Sequence, residues 1–289
     1  MTALLDKLRA RPRRSVIAAP GVYDMISLRI ADRLDFELLY MTGYGAVASY
    51  LGLPDAGMAS YADMVGRVEA MARGAHTPMI ADGDTGYGGL LNVRHTVRGY
   101  ERAGAAGIQL EDQEFPKKCG HTPGRRVIAA EEMARKIAVA AESRASADFL
   151  IVARTDARTS LGLDEAIRRA RLYADAGADL LFVESPESEA EMARIGEELG
   201  DMPLVANMVE GGRTPVLSGE RLAELGFAMA IYPGSGFLAA AAAIECVFKE
   251  IRQTGTTRGV ASQLYEFAEM NRLMGFEEVW KFDREHAND

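Results

Sequence analysis

Short apolar runs alternate with longer stretches whose apolar residues recur at helical spacing, and the alternation continues along most of this 289-residue chain. The runs at 15–19 (S-V-I-A-A), 36–41 (F-E-L-L-Y-M), 78–82 (P-M-I-A-D) and 107–111 (G-I-Q-L-E) read as strands. Those at 149–154 (F-L-I-V-A-R), 180–184 (L-L-F-V-E), 203–207 (P-L-V-A-N) and 227–232 (F-A-M-A-I-Y) read the same way. Helical spacing predicts helices over 25–34, 61–73, 93–103, about 130–143, 163–176, about 187–199 and 218–225. The segment after the second strand carries Gly43, Gly45, Gly52, Pro54 and Gly57 and reads as a loop. At the joints A-G-A-A-G (103–107), A-G-A-D (176–179) and L-G-F-A (225–228), glycine stands where a helix C-cap needs positive φ.

Eight such strand–helix units predict an α/β fold of the (β/α)8 TIM-type barrel kind, a single domain over 1–289, with an open doubly wound sheet as the alternative. The Ala-rich stretch 236–252 supplies the eighth helix. Residues 259–282 add helical material carrying Leu264, Phe267, Met270, Leu273, Phe276 and Trp280. Periodicity alone allows this appendage to cover a neighbouring subunit or to fold back on its own barrel.

Composition narrows the partners. A hydrophobic fraction of 48% with 26% charged residues describes a globular chain able to bury a large core. The net charge of -9, with only one short basic run at 9–14, argues against a nucleic-acid surface. Two cysteines, Cys119 and Cys246, make no disulfide framework, and Cys246 sits in an apolar helix as a core residue would. With no long apolar span and no signal peptide, a cytoplasmic protein with no membrane partner is expected.

In barrels of this kind chemistry gathers at the C-terminal ends of the strands. Those ends carry Tyr40 and Thr42, Asp82 and Asp84, Glu111 and Asp112, Arg154 and Asp156, Glu184, Asn207 and Tyr232. Asp82, Asp84 and Glu111, with Glu184 opposite, form an oxygen-rich set suited to a hard dication, Mg²⁺ first and Mn²⁺ second; pairing with Arg154 is the structural alternative. The glycines of D-G-D-T-G-Y-G-G (82–89) let backbone approach a ligand closely. Arg154 offers a fork for a substrate carboxylate, and the Thr42-Gly43-Tyr44 backbone could donate N–H groups to another.

The stretch 111–121, E-D-Q-E-F-P-K-K-C-G-H, begins at the end of the fourth strand and opens a connection over about 112–129 that is long enough to be a lid. Within it Cys119 lies beside Lys118 and near Lys117 and His121, cations that would bring its pKa toward neutrality and make the thiol a proton donor. The alternative is an ordinary loop cysteine.

D-G-D-T-G-Y-G (82–88), Q-L-E-D-Q (109–113), K-K-C-G-H (117–121), A-R-T-D-A (153–157) and F-V-E-S-P (182–186) resemble the isocitrate lyase and phosphoenolpyruvate mutase superfamily over nearly the whole chain. K-K-C-G-H resembles the signature of the carbon–carbon lyase branch, which the phosphonate branch lacks. The resemblance implies a homotetramer in which the eighth helix, from about 236, is swapped between paired subunits. It also implies Mg²⁺ on Asp82 and Asp84, with Glu111 reaching it partly through water, Arg154 on a substrate carboxylate, and Cys119 as the acid that protonates an enolate-like intermediate.

Leu238 and a position near Ala261 stand where 2-methylisocitrate lyases carry arginines for a third carboxylate. Y-M-T-G-Y-G (40–45), P-K-K-C-G-H (116–121) and A-N-M-V-E-G-G-R-T-P (206–215) are instead similar to the 2,3-dimethylmalate lyases. Pro233, where oxaloacetate hydrolases have a serine, leans away from hydrolysis. The expectation is a Mg²⁺-dependent lyase cleaving a 2-hydroxy dicarboxylate such as 2,3-dimethylmalate to pyruvate and propionate. Catalytic residues would be Cys119, Lys117, Tyr40 (the base, unless a hydroxide on the metal serves), Glu111 and His121. Substrate would be held by Thr42, Gly43, Tyr44, Asp82, Gly120, Arg154, Glu184, Asn207 and Pro233. The alternatives are 2-methylisocitrate cleavage, oxaloacetate decarboxylation or hydrolysis, and a non-catalytic dicarboxylate binder.

Overall fold

The structure, a computed structural model, describes residues 3–10, 14–120, 122 and 124–287. These form two units, Met1–Gly236 and Phe237–Asp289.

In the first unit eight parallel strands follow one another: β1 (Ile17–Val22), β2 (Leu39–Met41), β3 (Met79–Asp82), β4 (Gly107–Glu111), β5 (Leu150–Thr155), β6 (Leu180–Val183), β7 (Val205–Asn207) and β8 (Met229–Tyr232). Their order is β6-β5-β4-β3-β2-β1-β8-β7, so first and last strands pair. The remaining seam closes where Leu181 bridges Leu204 and its N–H donates to the Pro203 carbonyl at 3.0 Å. That seam rules out the open sheet.

Alternation along each strand sorts the core. Ile80, Val152, Phe182, Val205 and Ile231 belong to a cluster inside the barrel. Their strand neighbours Ala81, Ile151, Val183, Ala206 and Ala230 pack outward in the larger cluster shared with the helices. Side chains two apart share a face, so Asp82, Arg154, Glu184 and Asn207 point the way of Ile80, Val152, Phe182 and Val205. The barrel floor is filled by a helix the sequence did not reveal, Ala3–Arg9, whose Leu5 and Leu8 join the interior cluster.

The glycine-bearing stretch after β2 is not all loop. A helix runs Gly43–Leu51 from Thr42 and ends at Gly52 with φ 64°. Its glycines answer crowding rather than turning: a Cβ at Gly45 would lie 2.7 Å from the Tyr23 Cβ.

The second unit contains most of the helix Ser235–Thr254, none of whose residues is buried, then a 3-10 turn Arg258–Gln263 and helices Phe267–Leu273 and Phe276–His286. Gly275, at φ 84°, separates the last two. Within the single chain Cys246 is exposed, its thiol 3.8 Å from Gln263 Oε1, rather than in that chain's own core.

Candidate active site

On β3 to β7 the inward-facing positions change from apolar to polar at the strands' C-terminal ends. Register places Asp82 beside Gln109 and Glu111 beside Arg154. All of these, with Glu184 and Asn207, are buried.

One side of the mouth is acidic. The Asp84 N–H donates to Asp82 Oδ1 at 3.0 Å, across a turn in which Asp84 itself takes φ 47°. The other carboxylate oxygen of Asp82 lies against Gly43, where a Cβ would fall 2.5 Å from it. Gly43 starts the helix Gly43–Leu51, whose N-terminal turn has no side-chain cap, so a helix N-terminus faces this carboxylate. Of the three-residue backbone proposed as donor, Thr42 is already engaged, its N–H donating to the Val22 carbonyl at 3.0 Å.

Beneath lies a polar floor. The Tyr40 hydroxyl donates to Gln109 Oε1 at 2.6 Å, and Gln109 Nε2 donates to Asp82 Oδ1 at 3.4 Å. Burial, reinforced by the Asp82 charge, pushes the Tyr40 pKa well above the phenol's ordinary value. The Tyr40 hydroxyl is held toward Gln109 at the floor of the mouth.

Opposite stands Arg154. Its Nε and Nη2 each donate to Asp156 at 2.9 Å, and the guanidinium also lies 3.5 Å from Glu111 and 3.4 Å from Glu184. Burial works against its charge, but Asp156, Glu111 and Glu184 outweigh it and hold the pKa well above the ordinary arginine value. Asn207 Nδ2 donates to Glu184 Oε2 at 3.0 Å. Glu111 is the contrasting case: burial lifts its pKa well above the carboxylate range despite Arg154, and its Oε1 has no hydrogen-bond partner among the described residues.

The described residues of 112–129 are folded down onto this mouth. Gln113 and Val127 form an antiparallel bridge, and the Gln113 side chain accepts from Lys118 N at 2.9 Å and donates to Lys118 O at 2.8 Å. The Cys119 N–H donates to the Asp55 carbonyl at 3.1 Å. The Gly120 carbonyl accepts from Ser185 Oγ at 3.0 Å, and a Cβ at Gly120 would stand 2.9 Å from the Glu184 carboxyl carbon and against Arg154 Nη2. Lys117 is 3% exposed and salt-bridges both Asp55 and, at 2.6 Å, Asp84. Burial alone would lower its pKa; Asp84, Asp55, Glu111 and Asp82 together raise it well above the usual lysine value. Burial in turn raises Asp84 to about 6, against the pull of Lys117.

The two lysines expected to act on the Cys119 thiol are thus directed elsewhere, Lys117 to carboxylates and Lys118 to the Gly124 carbonyl at 3.2 Å. His121 lies outside the described residues. Pro233, just past β8, backs onto β1: a Cβ at Gly21 would meet its Cα at 2.6 Å. Tyr44 is 44% exposed, and Leu238 and Ala261 belong to the second unit.

Sequence reading missed Gln109, Asp55, Ser185 and Arg125. Gln109 had a signal, being a polar residue in the middle of a fully buried strand. Asp55 had none beyond a loop position, since its partner lies 62 residues away.

The donors suit a hard divalent cation. Asp82, Asp84 and Glu111 offer only oxygens, and Glu111 Oε1 is a buried oxygen with no hydrogen-bond partner among the described residues. Among the described residues no three of His, Cys, Asp or Glu close into a ready-made metal cage. Magnesium does not require one, because it keeps several waters and takes one or two carboxylates.

A closed parallel barrel whose polar residues gather under a folded-down loop at one rim defines an enzyme of the TIM-barrel class. The chain belongs to the phosphoenolpyruvate phosphomutase family, whose pattern matches residues 5–252. It is 46% identical over 274 residues to 2,3-dimethylmalate lyase of Eubacterium barkeri, covering 95% of this chain and 94% of that one. It is 40% identical to 2-methylisocitrate lyase of Aeropyrum pernix, covering 94% and 87%. Among solved structures, oxaloacetate acetylhydrolase in complex with 3,3-difluorooxalacetate superposes with a TM-score of 0.92 at 36% identity, covering 99% and 96%. Phosphonopyruvate hydrolase in complex with oxalate and Mg²⁺ superposes with a TM-score of 0.87 at 31% identity, covering 99% and 98%. With two named lyases among its relatives, the chain is an enzyme of the carbon–carbon lyase type.

Proposed function

We propose that the protein cleaves the C2–C3 bond of a 2-hydroxy dicarboxylate of the 2,3-dimethylmalate kind, giving pyruvate and propionate. The observation that carries this reading is the seating of the lid. Lys117 reaches Asp84 on one side and Gly120 rests on Arg154 and Glu184 on the other, so the backbone that carries Cys119 spans from the acidic half of the mouth to the guanidinium.

Asp82 and Asp84, with Glu111 behind them, would hold Mg²⁺, which when bound supplies an electrophile for the substrate's C2 oxygen and adjoining carboxylate. Arg154 and Asn207 hold the substrate's carboxylate end, and the N-terminal turn at Gly43 and Tyr44 supplies backbone donors. As C2–C3 breaks, the C2 hydroxyl loses its proton and becomes the pyruvate carbonyl; the bonding pair stays on C3 as the enolate of propionate. Cys119 gives its proton to that carbon, so one proton leaves oxygen and one arrives at carbon. The base for the hydroxyl proton stays as expected from the sequence, Tyr40 or a hydroxide at the mouth. Tyr40 and Gln109 keep Asp82 oriented from below. The docked loop excludes water from the enolate.

The test incubates the purified protein and Mg²⁺ with 2,3-dimethylmalate, 2-methylisocitrate and oxaloacetate in separate reactions. Propionate and pyruvate from the first support the reading. Succinate from the second or oxalate from the third, with no propionate from the first, replaces it.

The assembly we propose is a homotetramer with the helix Ser235–Thr254 exchanged between paired subunits. What supports it is the exposure on that helix of Leu238, Ile244, Phe248 and Ile251, a patch that calls for cover. A cytoplasmic location fits the two free cysteines, and among the described residues no helix is long and apolar enough to cross a membrane.

A further inference from the structure

The lid carries two adjacent basic pairs, and each splits the same way. Lys117 and Arg125 are buried, whereas Lys118 and Arg126 are exposed. The buried member of the first pair lands on Asp84. The buried member of the second, Arg125, lands on Asp156: its Nη1 donates to Asp156 Oδ1 at 2.5 Å, its Nη2 to Thr159 Oγ1 at 2.6 Å, and its Nε to the Thr122 carbonyl at 3.3 Å.

Asp156 is also the carboxylate that holds Arg154, and it is fully buried. The same oxygen, Oδ1, accepts from both guanidinium groups. The backbone beneath this carboxylate is anchored, the Asp156 N–H donating to Asp112 Oδ1 at 2.8 Å. Asp112 is held in turn by Thr155, Arg169 and Tyr173.

We propose that Arg125 is a positioning residue that couples lid docking to anion binding: by sharing Asp156 with Arg154, it frees positive charge on Arg154 for the substrate carboxylate. The inference rests on the proposed role of Arg154. With the lid away, Asp156 forms a one-to-one buried pair with Arg154, and an incoming carboxylate meets a guanidinium whose charge is matched, beside Glu111 and Glu184. With the lid docked, Arg125 adds a second cation to the cluster, and its charge offsets part of the negative charge that an incoming carboxylate would meet. At the low effective dielectric of a buried site this difference is large. Because coupling is reciprocal, bound dianion holds the lid down by the factor with which the docked lid tightens the dianion.

Oxalate with Mg²⁺ serves as the probe, since it carries two carboxylates and has no C2–C3 bond of the substrate kind to break; its binding is read whether or not dimethylmalate is cleaved. Two quantities are measured, its dissociation constant by calorimetry and its slowing of tryptic cleavage within 117–126. Wild type is expected to bind oxalate and to be protected by it. Arg125→Gln is expected to weaken oxalate tenfold or more and to lose the protection. Arg125→Lys, which keeps the charge, should return to within about threefold of wild type. Thr159→Val removes only the tether on Nη2 and should change oxalate binding less than twofold. Unchanged oxalate affinity in Arg125→Gln overturns the proposal, as does absence of protection in wild type. A Thr159→Val variant as impaired as Arg125→Gln would reduce Arg125 to a loop tether and overturn it equally. Retained oxalate coupling without any dimethylmalate cleavage would overturn the substrate assignment and leave this inference standing.

Discussion

At the scale of single residues, the mouth is assembled from positions where one atom more would not fit. Gly120→Ala puts a methyl group into the Glu184 carboxylate and Arg154, so the lid seats imperfectly. The expected loss in kcat/KM is about 100-fold, the size of effect that follows from misplacing catalytic groups by ångströms, with the Tm unchanged because the loop is not core. Cys119→Ser is expected to lower kcat by about 100-fold or more, as for loss of a general acid, while leaving oxalate affinity intact; wild-type turnover in this variant would remove the acid role.

Asp156 gives the pH dependence. Burial raises its pKa, but Arg154 and Arg125 outweigh that and hold it below the ordinary carboxylate value. A carboxylate depressed in the folded state contributes stability that is present above its unfolded pKa and disappears as pH falls through the folded value. Urea unfolding of wild type and Asp156→Asn, compared from pH 6 downward, should show the wild-type advantage holding to about pH 4 and shrinking below it.

At the scale of elements, what the sequence discloses depends on whether an element's partners are local. The strand Gly107–Glu111 and the helix Ala130–Ser143 match the sequence expectation at both ends, because a glycine or a charged flank bounds each apolar pattern. The helix Gly43–Leu51 is hidden, since glycines that read as turn signals are there to let Tyr23 and Asp82 come close. The seven-residue floor helix is too short to show a period. The site divides in the same way. Its acids and Arg154 are legible as polar residues ending apolar runs, but Lys117 and Lys118 point away from their sequence neighbour Cys119, and Asp55 and Arg125 acquire their roles only through space. The floor helix is the element whose weight can be measured. Leu8 is fully buried, so Leu8→Ala should cost about 3 kcal/mol and lower the Tm by roughly 10 °C, with KM for the dicarboxylate unchanged.

At the scale of the whole molecule, the unsettled surface is the helix Ser235–Thr254. Phe248 is 65% exposed, and replacing it by glutamate should shift the species seen by light scattering to a smaller assembly if this helix is the exchanged element. An unchanged mass would place the subunit contact elsewhere.

The helix carrying Leu5 and Leu8 stoppers one end of the barrel, and the lid rests on the other. With one end filled among the described residues, the proposed lid would be the door through which reactant enters and both fragments leave. On the proposal that 112–129 opens as a lid, turnover is expected not to outrun that opening, whatever the speed of bond cleavage. The fragment nearer the opening must depart before the one held deeper, so release is sequential, and inhibition by added pyruvate and by added propionate should differ in pattern: one competitive with substrate, the other not.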